Sequence, residues 1–315
     1  MNGTTLLNAT FLTALFSSGM RQSVPLIFGS VGDSVSEKSG VMGICIEGEM
    51  LFGALFSYLF ALRTGSLWLG VLMGALAGML SSLIVAVWCI YLKQDQSIVG
   101  IMFNIFAVGF TNFLNRMIFG TNNGNIAVET FKPIAIKGLS DIPIIGSVFF
   151  NQDILTYLAA IMAVVVFLVM KKTKLGLEIM AVGENPKAAQ ASGIQVYNYR
   201  LFGYMFCGFM AGIAGASLTL SQVGNFTEAM SAGRGFICLA IVILSKWNPL
   251  VTFIAAFGFG TIQALQIRLQ VLGSSMPYQF FVALPYLITV VVLIIAGHNI
   301  RPPKELGNPF DKESR

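Results

Sequence analysis

Charge is scarce in these 315 residues: Asp, Glu, Lys and Arg together make up 10% of the chain, against roughly 25% in soluble domains. Hydrophobic residues make up 56%, more than one soluble core can bury, and the simple reading is an integral membrane protein. Histidine occurs once, at His298. Alone at a span end, it can build neither a His–Glu–His zinc site nor a catalytic cluster. Cys45, Cys89, Cys207 and Cys238 fall in or beside apolar runs with no metal or disulfide spacing, so they read as buried thiols. No G-x-x-x-x-G-K-[ST] occurs, so the chain has no P-loop to cradle ATP phosphates. No basic stripe with interleaved aromatics points to nucleic acid. The first basic residue, Arg21, follows the first apolar run, so the start reads as a self-inserting span rather than a cleaved signal.

What is present is a succession of apolar runs. A helix needs ~20 such residues to span a bilayer. Residues 9–30, 41–62, 66–92, 97–119, 153–170, 198–221, 234–246, 249–270 and 279–297 qualify. The first is interrupted by polar residues and Pro25, and 234–246 is short. The expected fold is therefore an all-α polytopic membrane bundle of about 8–10 spans with discontinuous helices, in one domain covering 1–315. The polar stretch 31–40 reads as a connection, or as a break within one membrane element. Lys171, Lys172, Lys174, Lys187 and Arg200 crowd the loop at 171–197 and its edge, which makes that loop cytoplasmic. Lys93, Lys246 and the tail at 298–315 then fall on the same side, and the loop at 120–152 falls outside. That outer loop is long and reads either as a lid or binding-protein surface, or as packing against the helices. Trp68, Trp88 and Trp247 lie near span ends, as interface-seeking rings should. Gly70, Gly74 and Gly78, with Gly208, Gly212 and Gly215, give smooth faces for close helix packing, within the chain rather than between copies.

The most informative stretch is polar: GLEIMAVGENPKAAQASGI at 176–194. Asn185 can cap a helix that Pro186 begins. Lys187, Ala188, Ala189, Gln190 and Ala191 continue it, and Gly193 suits the left-handed residue beyond its end. About two turns, roughly 10 Å, are marginal alone and need a surface to lie on. With its small side chains this is a docking element. The pattern resembles the cytoplasmic coupling loop of ABC importer permeases, in the group that includes ribose, branched-chain amino acid and nucleoside permeases. SEKSGVMGICIEGEML at 36–51 resembles the "ERSGVVNIGLEGMML" segment of the nucleoside and simple-sugar members, with departures around Gly43–Ile46 and at Glu49. LSDIPIIGSVFF at 139–150 resembles their external loop.

The resemblance implies a permease subunit of a bacterial inner-membrane ABC importer, for nucleosides or simple sugars. Gly183, Glu184, Asn185, Pro186, Ala188, Ala189 and Gly193 would couple to the ATPase. Its partners would be an ATPase subunit with two nucleotide-binding domains, a second and different permease, an extracytoplasmic substrate-binding lipoprotein, a small solute and membrane lipid. The chain itself would be no enzyme and carry no cofactor, with ATP and magnesium bound by the ATPase. A stand-alone secondary transporter is the rival.

Polar residues inside spans are costly and are the candidates for a solute path. Asn104, Thr111 and Asn115, with Gly100, share one face of the 97–119 helix. They could line the path or hydrogen-bond between helices. Phe103 leads a neighbouring aromatic stripe that could stack on a base or face lipid and core. Glu47 either faces the pathway or satisfies backbone donors at a helix start. Gln222, Asn225, Gln263 and Gln266 are weaker candidates, and Arg116, Arg234 and Arg268 have no assigned role.

Overall fold

The computed structural model describes residues 9–120, 126–136, 138, 140, 145–271, 278–296 and 301–311. Twelve helices occur among them: α1 (Ala9–Lys38), α2 (Ile46–Thr64), α3 (Leu67–Ala86), α4 (Gln96–Phe119), α5 (Ile145–Phe149), α6 (Ile154–Lys172), α7 (Lys174–Glu184), α8 (Pro186–Ala191), α9 (Val196–Ser217), α10 (Arg234–Leu244), α11 (Pro249–Val271) and α12 (Tyr278–Ala296). Wider π-type turns extend α3 through Val87–Tyr91 and α9 through Leu218–Val223. A two-residue ribbon pairs Ile134–Ala135 with Asn151–Gln152. The expected all-α membrane bundle is what is found. Five of these helices, at 67–91, 96–119, 154–172, 196–223 and 249–270, are long and apolar enough to cross a bilayer. The other predicted spans correspond to α1, α2, α10 and α12: α1 and α2 carry buried carboxylates, α10 has only eleven residues, and α12 is an uncharged apolar helix of 19 residues. His298 lies outside the described residues.

Helix α1 runs through the middle of the bundle, with Leu26, Ile27 and Phe28 wholly buried. It continues past Pro25 to Lys38, so the polar 31–40 stretch is not a connection. Several of its polar groups are met inside the protein, although the buried Asp33 carboxylate has no hydrogen-bond partner among the described residues. Ser34 Oγ donates to the Val31 carbonyl at 2.7 Å and Ser36 Oγ to that of Val41 at 2.9 Å. The Trp247 indole donates to the Glu37 carboxylate at 2.5 Å. A run that looks like a loop by composition is thus a helix end enclosed by neighbours. Trp247 is likewise corrected: Trp68 and Trp88 stand exposed, as interface rings should, but Trp247 is buried.

Glycines let α2, α3 and α9 meet backbone to backbone. A Cβ at Gly74 would come within 2.8 Å of the Gly53 carbonyl, and one at Gly78 within 2.7 Å of Gly212 Cα. One at Gly212 would lie 2.8 Å from Ala75 Cα. The glycine repeats therefore serve packing within the chain, as predicted.

One end of the bundle gathers the basic segments. Lys38, Lys246, Trp247, Glu184 and Arg301 line one depression there, and Lys93 pairs with Asp311 at 2.9 Å. The expected grouping of these segments on one side is what the fold shows. At the other end residues 126–136 and 145–152 fold against the helices. Tyr58 donates to the Ile126 carbonyl at 2.8 Å, Val128 N–H to Gly224 and Phe131 N–H to Leu220. Gln152, fully buried, reaches Arg21 at 3.2 Å and Ser17 at 3.1 Å.

Candidate functional site

At the basic end the predicted capped helix is present, with the expected start and end. Asn185 caps α8, accepting from Ala188 N–H at 3.0 Å, Pro186 starts it, and Gly193 follows in the left-handed region at φ 86°. Six residues hold no fold alone. They are held because Pro186 and Ala189 turn inward, where Ala189 joins Val182, Val196 and Phe310 in a small apolar cluster. Glu184, Asn185, Lys187, Ala188, Ala191, Ser192 and Gly193 face outward. Of the residues singled out for coupling, Gly183, Pro186 and Ala189 are therefore buried supports. Gly183 has to be glycine, because a Cβ there would strike the Lys38 carbonyl where α1 ends. A cleft of 560 Å³ flanks α8, bounded by Lys174, Glu178, Gly193, Gln195, Asn198 and Tyr199.

Two features of this face are not legible in the residue pattern. Helix α7 occupies the polar stretch before Asn185, started by the Thr173 hydroxyl, which accepts from Gly176 N–H at 3.3 Å. The tail is not loose either: residues 301–311 strap the face. Glu305 N–H donates to the Gly183 carbonyl at 3.0 Å and Gly307 N–H to that of Gly40 at 3.1 Å. Arg200, one of the cations at the edge of this loop, is almost fully buried under the strap. It donates to the Asn308 carbonyl at 2.8 Å, and its guanidinium lies 6.0 Å from the Phe310 ring centre. The Pro- and Gly-containing tail has no apolar periodicity to signal such packing.

Deeper in the membrane the chain is broken twice. Residues 41–45 are irregular, and α2 begins only at Ile46. Residues 224–233 return from the far end, and α10 begins at Arg234. With eleven residues, α10 is about 16 Å long, half a bilayer. Glu47 joins the two starts. Its carboxylate accepts from Ser231 Oγ at 2.6 Å and from the Gly233 and Gly235 amides, both at 2.7 Å. A carboxylate at a helix N-terminus meets unpaired N–H groups and the positive end of the dipole. Asn104 does the matching work at α2. Its Oδ1 accepts from Gly48 N–H at 2.9 Å and its Nδ2 donates to the Ile44 carbonyl at 2.8 Å.

The other predicted pathway residues lie along α4. Thr111 is buried and donates to the Ala107 carbonyl at 2.7 Å. Asn115 is buried, and Phe103 stacks near Phe52 at 5.9 Å between ring centres. Glu47 and Asn104 thus meet as two backbone clamps at one depth, while Thr111 and Asn115 continue up α4 away from it. Arg116, at the far end of α4, pairs with Glu228 through two hydrogen bonds at 2.6 and 2.8 Å. This partner holds the Glu228 carboxyl below its usual range.

Half-helices that start at membrane depth are a feature of membrane transport proteins, where they line sites within the bilayer. The sequence profile of the family described as "Branched-chain amino acid transport system / permease component" matches residues 15–296. The chain belongs to this family of ABC transporter permeases and is not itself an enzyme. It is 35% identical over 313 residues to the guanosine ABC transporter permease protein NupQ of Bacillus subtilis, covering 96% of this chain and 98% of that one. It is 37% identical over 290 residues to the nucleoside ABC transporter permease protein NupC of Lactococcus lactis subsp. cremoris, covering 89% and 91%. The putative glucose ABC transporter permease protein TsgC13 of Haloferax volcanii is 32% identical over 327 aligned positions, covering 96% and 99%. No solved structure was found to match. Family membership displaces the stand-alone secondary transporter.

Proposed function

We propose that the chain is the permease of an ATP-driven importer for nucleosides, seated in the bacterial inner membrane with its basic end in the cytoplasm. The observation that carries this is the 35–37% identity, along nearly the whole chain, to two permeases named for nucleosides. The excess of Lys at the α6–α8 end supports the orientation. The outward residues of α8 and the cleft beside it would receive an ATPase subunit with two nucleotide-binding domains, which would bind ATP and magnesium. A second, different permease would complete the pathway, and a binding lipoprotein would deliver solute at the opposite end. ATPase closure would push α8, and through Gly183 and Gly40 the push would reach α1 and the break at 41–45. Simple sugars are the second reading, favoured by the name of the Haloferax relative.

The test is uptake into proteoliposomes holding the chain with the ATPase, second permease and lipoprotein. ATP-dependent guanosine uptake, competed by other nucleosides and not by glucose, is expected. Glucose uptake with no nucleoside uptake would replace this reading with the sugar one.

A further inference from the structure

Beside the Glu47 clamp, α10, α11 and α12 enclose a cavity of 220 Å³ whose polar lining is Arg234, Gln263, Gln266 and Tyr286. We propose that this cavity is the membrane-depth site for the planar, hydrogen-bonding ring of the transported solute, a nucleobase. The assignment rests on the nucleoside reading above and locates its substrate.

Uncommitted hydrogen-bonding atoms carry it. Gln263 is 7% exposed, and its Oε1 has no hydrogen-bond partner among the described residues. Arg234 Nε is also buried without one. The rest of that guanidinium is fixed, because Nη1 donates to the Met230 and Ser231 carbonyls at 3.1 and 3.3 Å. Buried polar atoms are normally satisfied, and here an unpaired donor and an unpaired acceptor belong to two residues that line one cavity, within reach of a ligand that turns these side chains toward it. Asn104 differs, since its amide is already taken by backbone on both sides. Gln263 stands eight residues before the end of α11, about 12 Å from it, at a depth where polar side chains are costly unless they serve a path.

The chemistry selects a ring. Arg234 Nε can only donate and Gln263 Oε1 can only accept. An edge carrying both an acceptor and a donor, as the pairing edges of nucleobases do, would satisfy the two. The Tyr286 hydroxyl donates to the Ala232 carbonyl at 2.9 Å, which holds its ring as one wall and offers a face for stacking. The volume is below the ~300–1,000 Å³ of common ligand pockets, so it fits one ring system and not a larger solute.

The assembled transporter in proteoliposomes, with radiolabelled guanosine, provides the test. Tyr286→Ala and Gln263→Leu should each lower uptake at sub-saturating guanosine roughly tenfold, with subunit assembly and lipoprotein-stimulated ATP hydrolysis kept. Tyr286→Phe, which keeps the ring and loses only the hydroxyl, should retain most uptake. Equal losses in Tyr286→Phe and Tyr286→Ala would overturn the stacking wall. Wild-type uptake by both Tyr286→Ala and Gln263→Leu would overturn the site and leave the nucleoside function standing. A wild-type transporter that moves no nucleoside would overturn that function, and the site with it. If Gln263→Leu fails to insert, the Tyr286 pair decides alone, because that side chain is 44% exposed and its loss leaves the core intact.

Discussion

Glu47 and Gly235 are joined across the break in the membrane, the glycine amide donating to Glu47 Oε2 at 2.7 Å. The glycine is needed for the approach, since a Cβ at 235 would lie 2.6 Å from Glu47 Cα. Glu47→Gln keeps the shape but turns an –NH₂ toward backbone donors, so one of the three donors loses its acceptor. A loss of ~1.5–3 kcal/mol is expected for a charge-assisted bond, seen as a lower midpoint in thermal unfolding of the detergent-solubilised chain. Gly235→Ala should cost more, because backbone rather than side chain must move. Equal midpoints for wild type and Glu47→Gln would remove the clamp from the account.

Glycines elsewhere in the bundle divide into those that touch and those that do not, which gives a controlled comparison. Gly212→Ala forces apart α3 and α9 and should destabilise by ~1–3 kcal/mol or more, as overpacking does. Gly109, exposed on α4, has nothing within 4 Å of where a Cβ would stand. Gly109→Ala should therefore be neutral, or stabilising by ~0.5–1 kcal/mol through helix propensity. Denaturation of the two variants side by side checks this, and a costly Gly109→Ala would show that α4 carries a close partner on that face.

The spans, the glycine contacts and the α8 motif were legible because each rests on a local pattern: apolar length, small-residue spacing, or cap chemistry. The continuation of α1 through Asp33, Ser34, Ser36 and Glu37 was not. Polarity there mimics a loop, and only tertiary partners such as Trp247 make it a helix. The burial of Arg200 was illegible for the same reason, since only the strap covers a cation that stands beside four lysines in the sequence. At the candidate site, Asn104 and Glu47 were recognisable as polar groups at membrane depth. What they bond to depends on two chain breaks more than fifty residues away in sequence. Arg234 had no role until α10 was found to begin at it.

The strap makes its own prediction. Phe310, 5% exposed, packs under Tyr197 at 5.5 Å between ring centres and against Ala189 of α8. Phe310→Ala should cost about 3 kcal/mol, the low end for losing a buried aromatic, because the site lies at the edge of the protein. Deleting residues 304–315 should cost more, since Arg200 then loses its carbonyl partner as well. Limited proteolysis at the α7–α8 joint should accelerate in both variants, and unchanged cleavage would mean that the strap does not hold the coupling face.

The outward side of α8 can be separated from its inward side by two substitutions one residue apart. Ala188 is exposed and Ala189 is 4% exposed, packed on Val182, Val196 and Phe310. An arginine at 189 would have to displace the strap, so Ala189→Arg confounds docking with folding. Ala188→Arg leaves the apolar cluster untouched and places a long cation where a partner would close on α8. If this is the docking face, Ala188→Arg should keep the wild-type unfolding midpoint while lowering copurification of the ATPase and ATP-driven uptake at least roughly tenfold, the effect of one interface residue worth ~1.4 kcal/mol or more. Ala189→Arg should lower the midpoint as well. Wild-type copurification and uptake in Ala188→Arg would place the ATPase contact elsewhere on the basic end, with the cleft between Glu178 and Asn198 the next surface to probe.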